Sequence, residues 1–231
     1  MKILVLAAQK GGSGKTTLAT NIAVEAERMG DGPVALIDTD PQGSLAEWSQ
    51  ERESPTPILA QCSTHKLVQK IAEMREAGVG LMVIDTPPAI KAAIAQVISA
   101  SDLVVIPMRP SAHDLRAVGK TIDIAENLGK PFVFVVNGAH PTARITMQAV
   151  LALSEHGPVA PSIIHQRTDF AASAIDGRAV MEVAGRSRSP SEIAALWQYL
   201  KACLSGTRDR SLVRSRSAPD PVAAPIGEAR A

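Results

Sequence analysis

Residues 7–19 read AAQKGGSGKTTLA. This stretch decides the fold, because it holds most of the phosphate-binding pattern G-x-x-x-x-G-K-[ST] between an apolar run and a helix-forming one. Gly11, Gly12 and Gly14, with Ser13 among them, allow a backbone that curls its N–H groups around phosphate oxygens. Lys15 is expected to reach the β- and γ-phosphates, the Thr16 hydroxyl to ligate Mg²⁺, and Thr17 to touch the α-phosphate. The positive end of the following helix adds to the site. One feature departs from the pattern. Its first glycine should stand at position 9, which is Gln9, and a second lysine, Lys10, follows. Two lysines beside one triphosphate need an explanation.

Outward from this loop, short apolar runs recur: KILVLAA (2–8), VALID (34–38), LMVID (81–85), LVVIP (103–107) and FVFVVN (132–137). Near-continuous apolar runs of this length mark parallel strands covered on both faces. PILAQ (57–61) and APSII (160–164) are weaker candidates. Helix-like segments lie at roughly 16–29, 45–52, 65–77, 90–99, 112–128, 145–156 and 169–176. The alternation predicts an α/β fold, a mostly parallel β-sheet flanked by helices on both faces and joined by right-handed crossovers. Ser111 and Asp114 spell a capping box, and Gly129 can close the helix that follows. Ser189, Pro190 and Glu192 read as N-cap, N1 and N3 of a last helix. Its Ile193, Leu196, Trp197, Leu200 and Leu204 form one apolar stripe suited to packing on the sheet.

Composition sets bounds. The chain has 231 residues, 45% of them hydrophobic, so a sizeable core can form. Aromatics are 3%, so that core must be built from Val, Ile, Leu, Ala and Met. Cys62 and Cys203 stand far apart, giving neither a metal spacing nor a disulfide framework, and a reducing cytoplasm is the simplest compartment. MKILVLAAQKGG is too short an apolar run for a signal peptide and leads straight into the phosphate loop. No stretch approaches the ~18–20 apolar residues of a membrane span. Residues 1–205 are expected to form one P-loop domain, and the Arg-, Ser-, Pro- and Ala-rich residues 206–231 a disordered tail.

Two further stretches carry acids at strand ends. In LIDTDPQGS (36–44), Asp38 and Asp40 stand two residues apart, which on a strand puts both on one face. A cation or an attacking water would explain such a repelling pair; a D-x-D-P turn with Asp as a cap is the plain alternative. In LMVIDTPP (81–88), apolar residues ending in Asp85 make a Walker-B pattern whose acid would hold Mg²⁺ opposite Thr16.

KGGSGKTT, DTDPQGS, IDTPP and SDLVVIPMRPS together resemble the ParA/MinD group of deviant-Walker P-loop ATPases. Within that group the chain is most similar to small ParA proteins without an N-terminal DNA-binding domain. The resemblance runs from about residue 2 to 204 and includes the late IIHQRTDFAASAIDGRAVMEV. It implies that Lys10 is a signature lysine that crosses a dimer interface to the partner's ATP, which answers the question of the second lysine. A cation aimed at charge developing on the phosphates acts as an arginine finger does, once a second subunit is present. The resemblance further implies that Asp40 orients the attacking water and that Asp38 and Asp85 support Mg²⁺. Asn137 would read adenine, although a strand-capping turn residue is the plainer role. Asp114 also matches a family position, but capping a helix is enough to explain it.

The implied activity is ATP hydrolysis with ATP and Mg²⁺ as cofactors, in a homodimer that binds nonspecific DNA. A ParB-like or other adaptor would stimulate hydrolysis and link the protein to a cargo such as a plasmid, a chromosome or a protein cluster. Localisation would be cytoplasmic and nucleoid-associated. The charge distribution offers a DNA surface: residues 178–216 hold eight basic residues and three acids in a chain of net charge +1. Arg178, Arg186, Arg188 and Lys201 are the candidates, with Arg208, Arg210, Arg214 and Arg216 beyond them. No base-reading module is recognisable. A MinD-like membrane regulator would need a basic amphipathic C-terminal helix, and the Pro-rich end offers none. A metabolic ATP-using ligase would need substrate-pocket residues, but the five histidines are scattered.

Overall fold

A computed structural model describes residues 1–207 apart from 41–42, 88–90 and 184. Arg208, Arg210, Arg214, Arg216 and almost all of the expected tail therefore lie outside the described residues. Strands β1 (Lys2–Leu6), β2 (Val34–Asp38), β3 (Ile58–Gln61), β4 (Leu81–Asp85), β5 (Leu103–Met108), β6 (Phe132–Ala139) and β7 (Ile164–His165) form one sheet. Their order is β3-β2-β4-β1-β5-β6-β7, and every strand pairing is parallel. The helices are α1 (Lys15–Arg28), α2 (Ser44–Gln50), α3 (Leu67–Glu76), α4 (Lys91–Ser99), α5 (Ala112–Asn127), α6 (Arg144–Ser154), α7 (Thr168–Ala174) and α8 (Ser189–Leu204).

Alternation along each strand feeds two cores. Leu4, Leu6, Leu36, Val83, Val105 and Val135 point to one face, under α1 and α8. Ile3, Val5, Ile37, Ile84, Val104 and Phe134 point to the other, under α3, α4, α5 and α6. The apolar stripe of α8 lies in the first core, with Ile193, Leu196 and Leu200 fully buried. Both weak strand candidates form at the edges of the sheet. The later one is displaced: pairing at 164–165 follows an isolated bridge from Val159 to Phe134.

The helix starts differ from expectation in two places. Ser111 Oγ does accept the Asp114 N–H at 3.1 Å, but the Asp114 carboxylate does not return the bond to Ser111. It accepts instead from the Arg109 N–H at 3.1 Å and from the Lys10 ammonium. The last helix starts one residue early, with Arg188 as its N-cap. The Ser189 hydroxyl is drawn away to the Asp169 carboxylate at 2.9 Å, so it cannot cap. Among the described residues no helix is long and apolar enough to cross a membrane.

Candidate functional site

The loop between β1 and α1 leaves the sheet at the C-terminal ends of the strands, where β1 sits between β4 and β5. This is the edge at which open parallel sheets bind ligands. Gly12 and Gly14 adopt left-handed backbone, with φ of +74° and +90°. Gly14 has a second reason to be glycine: a Cβ there would lie 2.0 Å from Asn137 Nδ2. The Lys15 ammonium is buried under the loop and donates to the Ala8 carbonyl at 3.2 Å. Burial pulls its pKa down, and the nearby Asp85 and Asp40 charges oppose that.

The strand register brings the acids together. Asp38 and Asp85 are direct partners across β2 and β4. Asp85 Oδ2 accepts the Thr16 hydroxyl at 2.5 Å. Burial raises the Asp85 pKa to about 6, against the Thr16 hydrogen bond and Lys15, which lower it. Burial raises Asp38 as well. Asp40 lies beyond the end of β2, so the expected shared strand face does not extend to it. Its N–H donates back to Asp38 Oδ1 at 2.8 Å, a turn of the kind the plain alternative described. Both acids nevertheless border a cleft of about 630 Å³, which leaves room for water beside Asp40. Thr39 and Thr86 donate their hydroxyls to the Asp85 and Leu6 carbonyls at 2.6 and 2.8 Å, fixing the strand ends.

Unmade hydrogen bonds concentrate here. Among the described residues, six buried side-chain polar atoms lack a partner, and four of them belong to Gln9, Ser13, Asp38 and Asp85. Buried polar groups rarely stay unpaired, so their gathering around one glycine loop points to a polar ligand. Mg²⁺ fits the donor set. Thr16 would be a direct ligand, with Asp85 and Asp38 turning their idle oxygens toward its waters; the ion would neutralise charge on the phosphates. Among the described residues no group of three or more His, Cys, Asp or Glu gathers.

The remaining candidates fall in different places. Asn137 ends in the site, with its amide donating to the Ser13 carbonyl at 2.8 Å. It therefore braces the phosphate loop. Lys10 stands on the rim, its side chain 43% exposed, ion-paired to the buried Asp114 of α5. Sequence reasoning gave Asp114 a capping role alone, and nothing in the local pattern reveals this long-range partner. The basic candidates do not form one patch. Arg186 and Arg188 are exposed just before α8, while Arg178 is paired to Asp176 at 2.5 Å. Lys201 is paired to Asp31 at 2.5 Å, roughly 20 Å further along α8 at the other end of the sheet. Other exposed arginines share the edge with Arg186 and Arg188: Arg109 after β5 and Arg144 after β6.

Residues 4–180 match the family model described as the CobQ/CobB/MinD/ParA nucleotide binding domain. The chain is 30% identical over 200 residues to the maintenance of carboxysome distribution protein A of Halothiobacillus neapolitanus, covering 82% of this chain and 91% of that one. Its fold is shared by apo McdA of Cyanothece, with TM-score 0.69, 18% identity and coverage of 88% and 99%. It is shared too by the septum site-determining protein MinD of Pyrococcus horikoshii, a complex with Mg-ADP, with TM-score 0.74, 14% identity and coverage of 89% and 98%.

Proposed function

The chain belongs to the CobQ/CobB/MinD/ParA nucleotide-binding family, and from that premise we propose that it is a dimerising ATPase that positions a cargo. ATP and Mg²⁺ occupy the loop 10–17 with Asp38 and Asp85, and Asn137 supports the loop or contacts the base. Asp40 orients the attacking water, and Lys15 holds the β- and γ-phosphates. ATP binding pairs two protomers. The pair retains nonspecific DNA, and a partner protein that carries the cargo stimulates hydrolysis and release. The protein then works in the cytoplasm on the nucleoid, with residues 1–205 as its engine.

The observation that carries this reading is the contrast between the two loop lysines. Lys15 is buried beneath the loop, whereas Lys10 is held off it by Asp114 and half exposed. Its ion pair with Asp114 points Lys10 away from its own phosphate cradle, which supports a role across an interface once that pair is exchanged for a partner's phosphates. For DNA, the arginines of the C-terminal edge, Arg109, Arg144, Arg186 and Arg188, are better placed than Lys201, whose charge is matched by Asp31. The test is retention of nonspecific DNA with ATP, ADP and no nucleotide. Wild type should bind with ATP alone, and both Lys10→Ala and Lys15→Ala should lose that response. DNA binding indifferent to nucleotide and to both substitutions would overturn the reading.

A further inference from the structure

Segment 177–182, which leads into the arginine loop 185–188, is tied to the nucleotide site twice. The first tie runs through α1. The Asn21 side chain, almost fully buried, donates to the Thr17 carbonyl at 2.7 Å and accepts the Val180 N–H at 2.9 Å. One amide thus joins a residue of the phosphate loop to the late segment.

The second tie runs through α2, the helix that follows Asp40. Arg52, just past that helix, has a side chain only 6% exposed. Its guanidinium spends all five donors. Two go to Glu182 at 2.8 and 2.9 Å, one to the Gly177 carbonyl at 2.8 Å, and two to the Thr56 carbonyl at 2.9 and 2.6 Å. The same group lies 4.9 Å from the Trp48 ring, and Trp48 Nε1 donates to the Arg178 carbonyl at 3.2 Å. Glu182 also accepts the Ala179 N–H at 2.8 Å. Gly177 has φ +66°, and a Cβ there would lie 2.4 Å from the Arg52 backbone nitrogen, so the two segments touch backbone to backbone. A lysine, with three donors, could not make these five bonds or grip both Glu182 oxygens with a planar fork.

We propose that Arg52 is a positioning residue that locks segment 177–182 to α2, so that events at Thr17 and Asp40 set the posture of the arginine loop 185–188. Two ties of different origin converge on one short segment, and that segment hands on directly to the exposed Arg186 and Arg188. The Gly43 N–H at the start of α2 donates to the Asp40 carbonyl at 3.2 Å, so a shift of α2 moves Arg52, and with it Gly177 and Glu182. The DNA consequence rests on the functional reading above; the coupling itself does not.

The experiment is hydrogen exchange over 177–188 with ADP and with a non-hydrolysable ATP analogue, alongside DNA retention. It uses wild type, Arg52→Lys and Glu182→Gln, which keep volume and remove the fork geometry or one acceptor. Both variants should bind the analogue as wild type does. The difference between the two nucleotide states over 177–188 should shrink by about tenfold, an ordinary inter-site coupling, and ATP preference for DNA should shrink with it. Variants that keep the full nucleotide response overturn the proposal, as does a wild-type segment indifferent to nucleotide. Loss of folding or of analogue binding in both variants would make the clamp merely structural and overturn it too. A wild-type segment that responds to nucleotide in a protein that never retains DNA sinks the functional reading and leaves the coupling standing.

Discussion

The sheet's C-terminal edge has two flanks. Around β2, β4 and β1 it is buried and acidic: Asp38 and Asp85 sit side by side with idle oxygens, and Lys15 lies beneath the loop. Around β5, β6 and β7 it is exposed and arginine-bearing, with Arg109, Arg144, Arg186 and Arg188 at the surface. Position differs in kind between them. Strand pairing holds the first flank, with Asp38 opposite Asp85 in the register of β2 and β4. The second is held by side-chain ties such as Arg167 and His165 on Glu192, at 2.6 and 2.9 Å. Charge inside a protein is worth much more than charge in water, so a buried flank can catalyse while an exposed one can only attract.

The sharpest test of that division is Lys15→Ala. Removing the buried ammonium should weaken nucleotide binding by about 100-fold or more, the loss expected of a desolvated charged contact. Fluorescence titration with a labelled nucleotide measures it, and an unchanged affinity would break the contrast. Lys10→Ala is expected to leave nucleotide affinity within about threefold yet abolish ATP-dependent dimerisation, read by light scattering, since its charge would act only across an interface.

Asp85 offers a test with a definite sign. Its folded pKa, about 6, is above the ordinary 3.8, so the nucleotide-free fold holds this proton more tightly than the unfolded chain does. Its contribution favours the fold below pH 4, is lost as pH rises to 6, and stays lost above. Asp85→Asn should therefore raise the nucleotide-free melting temperature at pH 7.5 by about 3–8 °C, for about 1–3 kcal/mol, while abolishing stabilisation by Mg²⁺ and nucleotide. A lowered melting temperature in calorimetry would show that the buried carboxylate is already compensated. On the outer flank the effects are smaller. Ser111→Ala removes one cap of α5 and should cost about 1 kcal/mol in a urea titration. Arg186→Ala and Arg188→Ala should each reduce the salt slope of DNA retention by about one unit without changing stability.

The buried flank was legible in the sequence because its chemistry is local. GGSGKTT marks a loop, and VALID and LMVID mark two strand ends that each carry an acid; that β2 pairs with β4, which makes Asp38 and Asp85 neighbours, comes from the sheet order. The outer flank was not, because its residues are placed by partners far away in the chain. Charge counting gathered Lys201 with Arg186, but a continuous helix carries Lys201 to the opposite pole and into an ion pair with Asp31. Arg52 gave no signal, since it ends the helix-like segment 45–52 and looks like any solvent-facing arginine there. Glu182 gave a faint one, lying within GRAVMEV. The Ser111–Asp114 pair had the spelling of a reciprocal cap, but a third residue, Lys10, competed for the carboxylate.

The glycine of the GK pair is usually counted as a mark of phosphate chemistry. Here it is equally a clearance: the Asn137 amide occupies the space where any side chain at 14 would go, and ties to Ser13 across 124 positions of chain. The curvature of the loop is thus inherited from where β6 ends, and a small displacement of that strand would be felt at the nucleotide before any catalytic atom had changed.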